Sequence, residues 1–126
     1  MTRNMTEYLM ELQREESIAR NGWRRVFLES FTDGKTKTLH ACARCGSLPH
    51  AYTSPEGTFA LACTRCGNGT DDCSTGKDAL AAWNRENKTA AAWTFKGQGL
   101  HDPDTGRIAW EQYGNDGIET VIQDKK

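Results

Sequence analysis

Two short cysteine turns constrain this chain more than any other feature: Cys42-Ala43-Arg44-Cys45-Gly46 and Cys63-Thr64-Arg65-Cys66-Gly67, one C-x-R-C-G pattern written twice with seventeen residues between Cys45 and Cys63. Two residues between cysteines let a tight turn aim both sulfurs at one point, and two such turns supply the four thiolates of a closed tetrahedral site. The glycine after each pair lets the chain leave the turn in a left-handed conformation at little steric cost. The spacing predicts a structural Zn2+ held by Cys42, Cys45, Cys63 and Cys66. A filled four-cysteine site has no position for water or substrate, so such a metal organises a fold and does not catalyse.

A disulfide framework is the competing use of cysteines, but their number is five, and residues 1–12 contain no basic-then-apolar leader. The length of 126 residues suits one compact domain, or a small metal module with extensions, and the apolar fraction of 37% is low for one large core. No apolar run approaches the roughly 20 residues that span a bilayer, so a cytoplasmic protein with no membrane partner is expected. The formal charge of -1 falls to -3 once four thiolates and one divalent ion are included. That is neither the strong positive balance of a general DNA binder nor the acidity of a DNA mimic.

The remaining pattern predicts an α+β fold. Asn4 followed by Glu7 resembles a capping pair, and Met5, Tyr8, Leu9, Leu12 and Ala19 fall loosely on one helical face that Asn21-Gly22 terminates. Such a helix docks on the rest of the domain more readily than it serves a dedicated partner. Residues 23–31 and 36–41 are rich in strand formers and flank Thr32-Asp33-Gly34-Lys35, which predicts a hairpin. Ser54-Pro55-Glu56-Gly57 then breaks the chain between the cysteine turns, so a zinc-ribbon hairpin is expected there. Thr75, with Asp78 three residues on, caps a helix over about 76–87 whose apolar side is Ala79, Leu80, Ala82 and Trp83. From Trp93, alternation through Ile108, Trp110, Ile118 and Ile122, with turns at 102–106 and 115–117, predicts a β-meander. The expected organisation is a helix-and-hairpin extension over 1–39, a metal module over 40–88 and a β extension over 89–126.

Residues 40–88, with CARCGS, an aromatic-containing hairpin, CTRCG and DALAAWNREN, resemble the Lar family of phage and prophage restriction-alleviation proteins, in which two CxxCG turns precede a short helix ending in an A…WN-R signature. Ala79, Ala82, Trp83, Asn84 and Arg85 match that signature, whereas Ala43 stands where the family usually carries proline. The resemblance covers about two fifths of the chain and neither extension. It implies a non-enzymatic accessory protein of the bacterial host cytoplasm that relieves restriction by binding a restriction-modification or other host defence protein.

Among the side chains, no Ser/His/Asp arrangement, phosphate-cradling loop or paired catalytic carboxylate is evident. Arg44 and Arg65 occupy equivalent positions in the two turns. They either offset the negative zinc-thiolate centre, the favoured role, or form a partner- or anion-contacting pair. Trp83 and Asn84 are expected as core filler and backbone clip rather than ligand contacts. Cys73, between acidic neighbours, is expected to be a bystander, His40 a poorer ligand than the cysteines, and His50 and His101 exposed. The alternative function is a nucleic-acid-binding zinc-ribbon regulator of phage transcription or translation. In it Arg24, Arg25, Lys35, Lys37, Arg44 and Arg65 would share a face, with Trp23 and Phe27 free to stack on bases. A third reading, inhibition of a host nuclease, has weak support in the net charge of -2 from Thr89 onward.

Overall fold

A computed structural model of the protein describes residues 17–32, 37–96, 99–115 and 117–123. Residues 17–20 are helical, and the helix stops where glycine allows it. Trp23 N–H bonds Ile18 O at 3.2 Å and Gly22 N–H bonds Ala19 O at 2.9 Å, a nested pair closed by Gly22 at φ 85°. The apolar face expected from Met5 to Leu12 lies outside the described residues.

The strands form two antiparallel sheets. One holds β1 (Arg24–Val26), β3 (His50–Thr53) and β4 (Phe59–Ala62) in the order β1-β3-β4. The other holds β2 (Thr38–His40), β5 (Ala92–Lys96), β6 (Gly99–His101), β7 (Ile108–Gly114) and β8 (Gly117–Gln123), in the order β2-β5-β6-β7-β8. The hairpin expected from residues 23–31 and 36–41 is therefore not formed. β1 pairs with β3, setting Arg25 opposite Tyr52, while β2 pairs with β5, setting Leu39 opposite Trp93. The reason lies in Leu28 and Phe31. Three positions apart, they would face opposite sides of a strand. A 3-10 turn over Leu28–Phe31 instead brings both inward, and both are buried.

β3 and β4 make the hairpin expected between the cysteine turns, with Leu61 opposite Ala51. Its reversal is held by the Ser54 hydroxyl, which accepts from Thr58 N–H at 3.0 Å. Bridges from Phe59 to Cys73 and from Ala62 to Gly69 lay the following residues along β4. Helix α1 (Gly76–Glu86) begins at Thr75, whose hydroxyl accepts from Asp78 N–H at 3.0 Å. Ala79, Leu80 and Trp83 form its buried side, which packs on β4, β2 and the 3-10 turn. β5 to β8 are the expected meander, and its register aligns Phe95, Leu100, Ala109 and Ile122 on one face.

One buried cluster unites the three sequence segments. Leu28, Phe31 and Leu39 come from the first, Leu61, Leu80 and Trp83 from the second, and Trp93, Leu100 and Ala109 from the third. Burial of that apolar area is the dominant favourable contribution to folding, at about 25 cal/mol per Å². Among the described residues no helix is long and apolar enough to cross a membrane.

Candidate metal centre

The two cysteine turns have the same backbone. In the first, Gly46 N–H bonds Cys42 O at 2.8 Å and Cys42 N–H bonds Ser47 O at 2.7 Å. In the second, Gly67 N–H bonds Cys63 O at 2.8 Å and Cys63 N–H bonds Asn68 O at 2.6 Å. Gly46 at φ 79° and Gly67 at φ 82° adopt the left-handed conformation that lets each chain leave its turn. The doubled motif is thus one residue longer than it reads, since Ser47 and Asn68 close equivalent loops.

These turns bring Cys42, Cys45, Cys63 and Cys66 together, all as free thiols, with every sulfur within 4.8 Å of the others. Cys42 Sγ lies 3.4 Å from Cys66 Sγ, and Cys45 Sγ 3.4 Å from Cys63 Sγ. A tetrahedron of sulfurs about 2.3 Å from a zinc ion has edges of about 3.8 Å. The cluster has the donor number, donor type and dimensions to hold a metal ion. Its electrostatics also call for a cation. Burial pushes the Cys63 and Cys66 thiols up, away from the ionised form. Burial also raises Cys42, but the Asn68 side chain and the backbone N–H groups of Arg44 and Cys45 outweigh it and bring Cys42 down to about 7. A bound cation opposes that burial penalty.

The expected Arg44 and Arg65 sites diverge. Arg44 is exposed, whereas Arg65 is half-buried and reaches across to the other turn, where Nη1 donates to Ser47 Oγ at 3.3 Å. Trp83 is fully buried and its Nε1 donates to His40 O at 2.8 Å. Asn84 accepts from His40 N–H at 2.9 Å and donates to Thr38 O at 2.8 Å. Both side chains thus bind the backbone of β2 immediately before Cys42. His40 Nδ1 donates to Ala90 O at 3.0 Å, and the residue is not part of the sulfur cluster. Cys73 is held in its bridge to Phe59 and is raised by burial and by Asp78, Asp71 and Asp72. His50, expected exposed, opens β3, where enclosure and the charge of Arg25 lower it to about 3. His101 is half-buried in β6.

Two polar constellations were not foreseen in the sequence. Asn87, 1% exposed, follows the last turn of α1; its Oδ1 accepts from Ala43 N–H at 2.9 Å and from Asn68 Nδ2 at 3.1 Å. Asn68 Nδ2 also faces Cys42 Sγ at 3.5 Å. Elsewhere Arg25 and Glu111 pair at 3.1 Å, with side chains 16% and 9% exposed. Arg25 also donates to Ile118 O and Thr120 Oγ1, both at 2.7 Å, while Glu111 Oε1 accepts from Leu28 N–H at 2.6 Å. The repeated turn offered a clue to Asn68; Asn87, Arg25 and Glu111 carried none.

Compared with protein-family models, curated proteins and solved structures, the chain matches none.

Proposed function

We propose that the four sulfurs hold structural zinc in a zinc-ribbon-like module, and that the chain is a non-enzymatic phage or prophage adaptor acting in the host cytoplasm. Its partner in this reading is a host protein of a restriction-modification or other anti-phage defence system, which it binds to relieve that defence. The observation that carries the reading is the joining of the two resembling elements: Trp83 and Asn84 clamp α1 onto Thr38 and His40, next to the first cysteine turn. This packing of the signature helix beside the first turn supports reading the Lar-like stretch as one module. A four-thiolate zinc site lends it rigidity and leaves recognition to the surface.

The test is the plating of unmodified phage on a type I restricting host that expresses the chain. Plating should rise over the empty host, and Cys63→Ser should abolish the rise. Unchanged plating with zinc-loaded wild-type protein in the cell overturns restriction alleviation.

A second reading, a nucleic-acid-binding regulator, has one observation in its favour. An open groove of about 720 Å³ is lined by Trp23, Phe27, Tyr52 and Tyr113 together with Arg24 and Arg25, and Tyr113 is 77% exposed. Against it, Arg25 is already engaged by Glu111 and Arg65 reaches Ser47, so the expected basic face is depleted. Lys35 lies outside the described residues. Binding through phosphates would weaken steeply with salt, with a slope of about 0.7 per contact on single strands, whereas an apolar protein interface would change little.

A further inference from the structure

The metal centre is not joined to the helix through its ligands. None of the four cysteines lies on α1, yet two asparagine side chains connect the helix end to both turns. Asn87 is placed by α1 itself: its backbone N–H and its Nδ2 both donate to Trp83 O, at 3.0 and 2.9 Å. Its Oδ1 is left to accept from Ala43 N–H in the first turn and from Asn68 Nδ2 beside the second. Asn68 carries two amide protons, and the second faces Cys42 Sγ at 3.5 Å, while its own carbonyl accepts from Cys63 N–H. A neutral amide suits this place. It offers donors toward sulfurs that become anionic on metal binding and adds no negative charge beside them.

We propose that Asn87 and Asn68 form a relay that positions Cys42 for the metal, so that loading the four-cysteine site and seating the C-terminal end of α1 are one event. The relay explains why a polar side chain is buried almost completely at the helix end: it supplies the acceptor that a backbone N–H inside a metal turn would otherwise lack. Outer partners that orient a ligand typically change metal affinity by about 10–100-fold when removed. Occupancy should therefore be felt by α1, and damage at its end should be felt by the metal. This inference rests on the metal reading of the site.

Cobalt alone, added to the full metal-free chain, is the probe, because four thiolates around it give characteristic visible bands, and zinc affinity then follows from its displacement. Asn68→Ala and Asn87→Ala should each bind cobalt and zinc about 10–100-fold more weakly and shift the sulfur-to-cobalt band, with the two effects less than additive when combined. Asn84→Ala is the control, since Asn84 clips the same helix to β2 without touching either turn. It should lower thermal stability and weaken apparent affinity only by the folding energy it loses, leaving the cobalt spectrum unchanged. If Asn87→Ala fails to fold, Asn68→Ala, whose side chain is only half-buried, still decides the matter. Hydrogen exchange supplies the other readout. In the zinc-loaded protein, Asn68→Ala should speed exchange at the amides of Ala43 and of residues 83–87 together, relative to wild type. A wild-type chain that takes up no cobalt overturns the metal centre itself. Normal uptake by the wild type with unchanged affinity in Asn68→Ala overturns the relay and leaves the metal centre standing.

Discussion

At the cysteine centre four residues of one chemical type converge from two near-identical turns, whereas at the Arg25–Glu111 joint two residues 86 positions apart meet once. Both are polar constellations in a small protein, but they stand in opposite relation to burial. A cation held by the thiolates would repay their desolvation, and the apparent folding contribution of a structural zinc is about 10–16 kcal/mol in small peptides. Among the described residues Glu111 has Arg25 and the Leu28 N–H, and burial outweighs them, since its carboxyl lies above its ordinary value. One Arg25 nitrogen, Nε, is buried without a hydrogen-bond partner among the described residues. A buried ion pair of this kind fixes which surfaces meet more than it stabilises their meeting. On the proposed zinc reading, the metal holds the fold together while the joint sets the register between the first sheet and the meander.

Metal removal is the largest way to break that comparison. The expected zinc contribution is comparable to the whole stability of a typical domain, about 5–15 kcal/mol. Because Leu39, Leu61, Trp83 and Trp93 share one core, loss of the turns should propagate into the meander. Chelation should therefore abolish the cooperative thermal transition in circular dichroism. A metal-free chain with the same midpoint and spectrum would remove the metal from its structural role.

Breaking the joint should cost less but still be large. Glu111→Ala leaves Arg25 buried without its carboxylate and Leu28 N–H without its acceptor, and losing one partner of a buried pair typically costs about 3–5 kcal/mol. The urea midpoint should fall accordingly, with the cobalt spectrum of the loaded protein unchanged. The double change Arg25→Met, Glu111→Leu removes both charges and should recover much of that loss. A double variant no more stable than Glu111→Ala would show that the joint contributes through its hydrogen bonds to Ile118 and Leu28 rather than through its charges.

The same contrast explains what the sequence disclosed. The cysteine turns were legible because thiolate chemistry, tight-turn glycines and fixed spacing all lie within five-residue windows. Thr75 and Asp78 announced α1, and the turns at 102–106 and 115–117 announced the meander, for the same local reason. Strand partners were harder, because β1 and β2 each carry three residues and many edges could accept them. The choice was made by Leu28 and Phe31, whose shared burial demanded a turn between them. Arg25, Glu111 and Asn87 were opaque in sequence, being ordinary surface types whose burial depends on long-range packing. Asn84 and Asn87 illustrate the limit, being two asparagines three positions apart, one in the last turn of α1 and the other its C-cap. One was noticed through a family signature and the other passed as the helix end, yet only the second reaches the cysteine turns.

The smallest test concerns the sign of the joint's electrostatics. Because burial raises Glu111 above 4.5, the folded protein binds its proton more tightly than the unfolded chain does. The contribution of this group is therefore fully present below 4.5 and is lost as pH rises through the folded value. Glu111→Gln keeps the shape and cannot titrate. The unfolding free energy of wild type relative to Glu111→Gln should rise as pH falls from 7 toward 4.5, by no more than about 1.4 kcal/mol per pH unit for one proton. Taking the difference between the two proteins at each pH cancels what acid does to the cysteine centre they share. Wild type losing ground on acidification would mean that Arg25 and Leu28 outweigh burial after all. The joint would then be an attractive clamp like the metal centre, and the distinction between the two would be one of size alone.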